Sequence, residues 1–179
     1  MSTASQLSRR DFLAATAALG AVATLRAAGD AAAPLVDTHV YLGRWPFRRV
    51  PLDEPAALVG KLREHGVASA WVGTPDALLH KDLAAANARL ADDCVRHGAG
   101  LLLPMGTVNP AHPGWEAELR RCAELHGMKG VRLFPNYHGY TLAEPRAAAA
   151  LARATELGLL VQIAVQLRSE EHTSELQSH

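Results

Sequence analysis

Residues 54–65 (EPAALVGKLREH) run into Gly66 and then Val67-Ala68-Ser69-Ala70-Trp71-Val72-Gly73. The stretch reads as helix, stop, strand. Pro55 suits the first helical turn, where its missing N–H has no intrahelical partner to lose, and Asp53 lies near the cap. Gly66 permits the left-handed backbone that ends a helix. The same unit recurs down the chain. Helices are predicted over 81–97, 113–126 and 145–157, followed by Gly98, Gly127 and Gly158. In the first of these, Leu83, Ala86, Leu90 and Cys94 fall at helical spacing, and Pro113 suits the first position of the next. Strands are predicted over 35–42, 67–73, 101–108, 129–134 and 159–165. Such a βαβ series implies parallel strands buried on both faces. An open doubly wound sheet and a TIM-type barrel both fit. Gly43-Arg44-Trp45-Pro46-Phe47 after the first strand is not a glycine-rich phosphate loop, which weakens a nucleotide-binding reading.

Both ends of the chain differ from this core. Ser8-Arg9-Arg10-Asp11-Phe12-Leu13 opens an Ala-rich apolar run that reaches Leu25. A basic region followed by an apolar one is the order of an export signal. The run is shorter than the ~20 residues that span a bilayer core. The arginine pair with Asp-Phe-Leu resembles the twin-arginine motif. Residues 1–33 are therefore expected to be a signal peptide read by the twin-arginine export machinery. The processed protein is expected in the periplasm or another extracytoplasmic compartment of a bacterium, without a stable membrane span. At the other end, residues 168–179 (RSEEHTSELQSH) break the apolar pattern that runs to Leu167. They resemble a translated sequencing-adapter oligonucleotide and are read as a non-native tail, so His172 and His179 carry no functional meaning. The folded domain is expected over 34–167.

Eighteen Lys and Arg balance eighteen Asp and Glu, with no basic stripe and no basic-aromatic interleaving, which argues against a nucleic-acid partner. Cys94 and Cys122 fall in predicted helices and read as buried free thiols; their spacing is not a zinc signature.

The first strand carries the candidate chemistry. Asp37, His39 and Tyr41 are spaced by two and so point to one side. In a barrel that side is the interior, near the C-terminal mouth where active sites lie. An imidazole beside a carboxylate can be a metal ligand with its orienting partner, or a hydrogen-bonded core pair. Further polar groups gather at strand ends: Thr74, Asp76 and His80-Lys81-Asp82 after the second, Asn109 after the third, Asn136-Tyr137-His138 after the fourth. Arg132, on the fourth strand, offers a planar fork suited to a carboxylate. The Arg44-Trp45-Pro46-Phe47-Arg48-Arg49 loop is placed to cap the same mouth.

Val36-Asp37-Thr38-His39-Val40-Tyr41-Leu42-Gly43, with Lys129-Gly130-Val131-Arg132-Leu133-Phe134-Pro135 and Gly158-Leu159-Leu160-Val161-Gln162-Ile163, resembles the amidohydrolase superfamily in its amidohydrolase-related branch. That branch also contains decarboxylases. The resemblance implies a (β/α)8 barrel, truncated here after about strand five. It implies a divalent metal, zinc or manganese, that activates water or holds a substrate for decarboxylation, with His39 as a ligand. Arg132 and His138 are then catalytic candidates, and Asp37, Tyr41, Asn109 and Asn136 substrate-binding candidates. The sequence departs from the family pattern at two ligand positions. Tyr41 stands where a second strand-one His is expected, and Ala164, flanked by Gln162 and Gln166, where a strand-five His is expected. The strand-eight Asp has no counterpart.

The resulting expectation is a metal-dependent hydrolase of a small molecule. Its alternatives are a metal-free barrel that binds a small ligand and a decarboxylase of the same superfamily. Five strands cannot close a barrel, so residues 34–167 alone are expected to expose strand edges and to be inactive and prone to association.

Overall fold

The computed structural model describes residues 33–165. The predicted tail and all but the last residue of the predicted signal peptide lie outside the described residues. Five parallel strands form one sheet in sequence order. They are β1 (Leu35–Tyr41), β2 (Val67–Gly73), β3 (Leu102–Thr107), β4 (Gly130–Leu133) and β5 (Leu160–Ile163). The crossovers carry α1 (Pro55–Glu64), α2 (Asp76–Leu79), α3 (Leu83–Gly98), α4 (Trp115–Arg120), α5 (Pro135–His138) and α6 (Pro145–Glu156).

Each long helix buries one stripe. Leu58, Val59 and Leu62 of α1 and Leu90 and Cys94 of α3 pack with Val40, Leu42 and Val72 in one cluster. Leu119, Cys122 and Ala154 pack with Val131 and Leu133 in a second. The ends of the helices depart from expectation in instructive ways. Asp53 does not cap α1; its carboxylate takes Arg49 Nε at 2.5 Å and Nη2 at 2.8 Å. Asp82 caps α3 by accepting from Ala85 N at 3.0 Å, so that helix begins at Leu83. Pro113 lies outside α4, which starts after Gly114 and widens into a π-helical turn over Arg121–Leu125. The one-turn helices α2 and α5 are too short to show a sequence period.

Gly66, Gly127 and Gly158 hold positive φ, as a helix stop requires. Gly98 does not: it is the last residue of α3, and Ala99 takes the left-handed conformation at φ 44°. Gly98 meets a different demand. A Cβ there would stand 2.9 Å from Leu102 Cβ, so the glycine lets α3 approach β3.

The sheet is curled, and Arg132 on β4 shows by how much. Its guanidinium reaches Val40 O at 3.0 Å and Thr38 O at 3.3 Å on β1, and Trp71 O at 2.9 Å on β2. In a flat sheet β1 and β4 would lie about 14 Å apart at the usual strand spacing, beyond a side chain's reach. β1 also carries an irregularity. Asp37 pairs with Ala70 but Val40 pairs with Val72, so three steps on β1 oppose two on β2. This is the signature of a bulge, which adds a residue and re-aims the backbone. β1 and β5 are the two edge strands.

Candidate functional site

The inner side of the curl gathers groups from β1, β4 and β5. His39 and Tyr41 stand edge to face with ring centroids 5.3 Å apart, as period-two spacing predicts. Arg132 lies over the Tyr41 ring at 5.0 Å. Arg132 is 1% exposed, and besides the three carbonyls it donates from Nε to Gln162 Oε1 at 2.6 Å. Four of its five N–H donors thus meet protein acceptors, so that it offers a ligand mainly its charge. Gln162 Nε2 in turn lies 3.3 Å from Thr38 O and 3.3 Å from His39 Nδ1. Asp37 Oδ1 accepts from the backbone N–H of His39 at 3.0 Å.

Electrostatics follow from this packing. Burial, then the Arg132 charge, depress the His39 pKa below its ordinary value, with Asp37 opposing. Burial raises that of Tyr41, with Arg132 pulling the other way. Burial lowers that of Arg132, while Tyr41 and Asp37 favour its charged form.

Beside this group, along the edge of β1, lies a cavity of about 780 Å3. His39, Tyr41 and Asp37 line it together with Trp45 and Arg48 of the loop after β1 and with Leu58 and Leu62 of α1. Arg44 pairs with Glu54 behind that loop.

The remaining candidates sit elsewhere on the same face. His138, on α5, directs Nε2 to Ala77 O at 2.9 Å; a carbonyl only accepts, so Nε2 carries the proton. Its Nδ1 is buried without a partner among the described residues. Burial depresses the His138 pKa, partly offset by the Ala77 bond and reinforced by His112. His138 and Asn109 line a cavity of about 200 Å3 with His80, Lys81 and His112. Asn109 is buried and accepts from Ala111 N at 2.9 Å, closing a turn after β3. Asn136 borders a third cavity, of about 560 Å3, with Tyr137, Ala164 and Val165. The structure therefore joins Asp37, His39, Tyr41 and Arg132, joins His138 with Asn109, and places Asn136 at the third cavity beside Tyr137. The residue that sequence reasoning left out of the site is Gln162. Its only signal was its place on β5, two residues before Ala164.

The residues of this half do not fit a divalent metal. Zinc and manganese take His, Cys and carboxylate groups that converge. Among the described residues no three such groups do. Around His39 stand a single carboxylate, Asp37, with a tyrosine, a glutamine and a buried guanidinium, whose charge opposes a second cation. At the expected strand-five ligand position, Ala164 only donates its backbone N–H to Leu133 O, at 2.9 Å.

Comparison with known proteins accords with the fold. Residues 36–177 match the amidohydrolase family, and the chain belongs to it. Residues 6–25 match the twin-arginine translocation pathway signal sequence, which marks the protein for export across a membrane. Among the described residues, no helix is long and apolar enough to cross a membrane. A search of curated proteins finds no match.

Solved structures do match. The 5-carboxyvanillate decarboxylase of Novosphingobium aromaticivorans, with bound manganese and 3-methoxy-4-hydroxy-5-nitrobenzoic acid, is 19% identical with a TM-score of 0.58, over 75% of this chain and 51% of that one. The 2,6-dihydroxybenzoate decarboxylase of Rhizobium is 14% identical with a TM-score of 0.60, over 82% and 54%. The IDCase of Metarhizium anisopliae in apo form is 14% identical with a TM-score of 0.59, over 74% and 50%. The chain thus spans about half the length of each of these structures. Its five parallel strands form a curled half of a TIM-type barrel of the amidohydrolase kind.

Proposed function

We propose that the whole protein is an exported enzyme of the amidohydrolase family that acts on a small carboxylated molecule, with decarboxylation favoured over hydrolysis. The observation that carries this reading is the charge of Arg132. Its hydrogen-bond acceptors Gln162, Val40, Thr38 and Trp71 are all uncharged, and Asp37 acts on it only through space. A buried cation without a direct counter-ion carries an effective penalty of several kcal/mol. A substrate carboxylate arriving at the His39–Tyr41 wall offsets part of it. Two of the similar solved structures are named as decarboxylases of benzoate-type acids, which supports the substrate class. Metal-activated hydrolysis and metal-held decarboxylation both need a ligand set that this half does not supply, so the preference between them rests on the similar decarboxylases. In this reading His39 and Tyr41 meet the carboxylate. Asp37 fixes the His39 backbone, and His138, Asn109 and Asn136 form the rim that receives the rest of the molecule. The processed protein works in the periplasm.

The test uses the full-length protein and a panel of hydroxylated and methoxylated benzoates, each paired with its primary amide. Calorimetry reads binding and carbon dioxide release reads turnover. Acids binding at least tenfold tighter than their amides, with carbon dioxide released, is the expected result. Amides that bind as well as acids overturn the reading. Tyr41 and Ala164, at positions where the family carries ligands, favour a second reading, a barrel that binds a small acid without converting it. Tight, carboxylate-dependent binding without turnover would select it.

A further inference from the structure

A relay of hydrogen bonds runs from β4 through β5 to β1, and its polarity is fixed at the origin. A guanidinium has donors only. Gln162 must therefore turn Oε1 toward Arg132 Nε, at 2.6 Å, which sends its NH2 group toward β1. Thr38 O, 3.3 Å from Gln162 Nε2, enforces the same orientation, because a carbonyl only accepts. The NH2 group also faces His39 Nδ1 at 3.3 Å. An amide NH2 only donates, so Nδ1 must offer its lone pair. A neutral imidazole with its lone pair on Nδ1 carries its proton on Nε2.

We infer that Arg132 and Gln162 are positioning residues that hold His39 in its Nε2–H tautomer, so that the barrel interior presents a hydrogen-bond donor where a metal site would present a lone pair. A histidine that ligates a metal through one nitrogen donates from the other to a carboxylate, carbonyl or water. Here the other nitrogen meets a donor. Ligation through Nε2 would require Nδ1 to gain a proton and Gln162 to turn over, setting its NH2 against the guanidinium. Arg132 cannot retreat to make room. Val40, Thr38 and Trp71 carbonyls hold its two terminal nitrogens, and Nη1 fills the space beside Gly73. Ligation through Nδ1 is blocked by the Gln162 amide itself. The donor's use, binding an anionic oxygen of the substrate, rests on the proposed function; the tautomer does not.

The tautomer can be read directly. In full-length protein labelled with 15N-histidine, long-range proton–nitrogen correlation separates protonated from unprotonated ring nitrogens, and His39→Gln identifies the His39 signals. The expected pattern is Nε2 protonated and Nδ1 bare at neutral pH, unchanged by one equivalent of zinc or manganese. An Nδ1–H pattern, or His39 signals shifted or broadened by stoichiometric metal, overturns the inference. Gln162→Glu supplies an acceptor facing Nδ1 and should move the proton there. A folded Gln162→Glu protein with the Nε2–H pattern intact also overturns it. Should that variant fail to fold, Gln162→Leu, which removes the donor, should give a tautomer mixture; an unmixed Nε2–H signal counts against the relay. Acids and amides binding alike while the tautomer stands would refute the substrate reading alone.

Discussion

Arg132 Nη1 occupies the space that a side chain at residue 73 would need: a Cβ on Gly73 would stand 2.4 Å from it. Residue 73 ends β2 and Arg132 lies on β4, so the contact exists only because the sheet curls. Gly73→Ala should therefore overpack the interior, at a cost of about 1–3 kcal/mol. Urea unfolding of the full-length protein checks this. The penalty should shrink in an Arg132→Ala background, where the guanidinium is gone. An equal penalty in both backgrounds would show that the two residues do not share this space.

Asn87 on α3 serves the backbone of β3. Its Oδ1 accepts from Thr107 N at 2.8 Å, and its Nδ2 donates to Thr107 O at 2.9 Å and to Glu118 Oε1 at 2.7 Å. Both Asn87 and Thr107 are buried. Asn87→Ala strands these groups, each orphan costing roughly 1–3 kcal/mol. A loss of more than ~2 kcal/mol is expected from the denaturation midpoint. A change within ~0.5 kcal/mol, typical of a surface substitution, would contradict the network.

Stability should fall as the solution is acidified from neutrality, in part through His138. Its folded pKa lies below the ordinary value of 6.5, chiefly because burial penalises the imidazolium. The unfolded chain then binds more protons than the folded one between the two values, so unfolding free energy rises with pH across that window. The contribution is complete above about pH 6.5 and is lost as pH drops toward the folded pKa. His138→Gln should flatten this part of the stability–pH curve measured by thermal melts. An unchanged slope would remove His138 from the account. His39, also depressed by burial, keeps the variant's curve from becoming level.

Export should depend on Arg9 and Arg10, since a receptor reads the pair as an address. Replacing both by Lys should leave a tagged full-length precursor in the cytoplasm on cell fractionation. Unchanged extracytoplasmic yield would count against the twin-arginine reading of residues 6–25.

The order of strands and helices was legible because glycine punctuates it: Gly66, Gly127 and Gly158 stop helices at positive φ. Gly98 looked identical in sequence but answers a packing need with Leu102. Such a need depends on three-dimensional approach and leaves no local mark. His39 and Tyr41 share a side because a strand alternates, and alternation is a one-dimensional signal. The Thr38 and Val40 carbonyls were invisible, since a bulge and the curl of the sheet bring them under Arg132 and no side-chain pattern encodes either. Gln162 escaped notice for a related reason. A glutamine on a half-buried edge strand looks ordinary until its partners on β1 and β4 are known.

The two thiols have a consequence for the protein's journey. Cys94 and Cys122 are the chain's only cysteines, each buried in a different cluster, and burial pushes both pKa values up to about 12. Almost no thiolate forms at neutral pH, and thiolate is the species that attacks disulfides and reacts with oxidants. Export across a membrane should therefore leave Cys94 and Cys122 as free thiols. As far as these two thiols go, the described fold is redox-blind: their state does not record which side of the membrane it has reached.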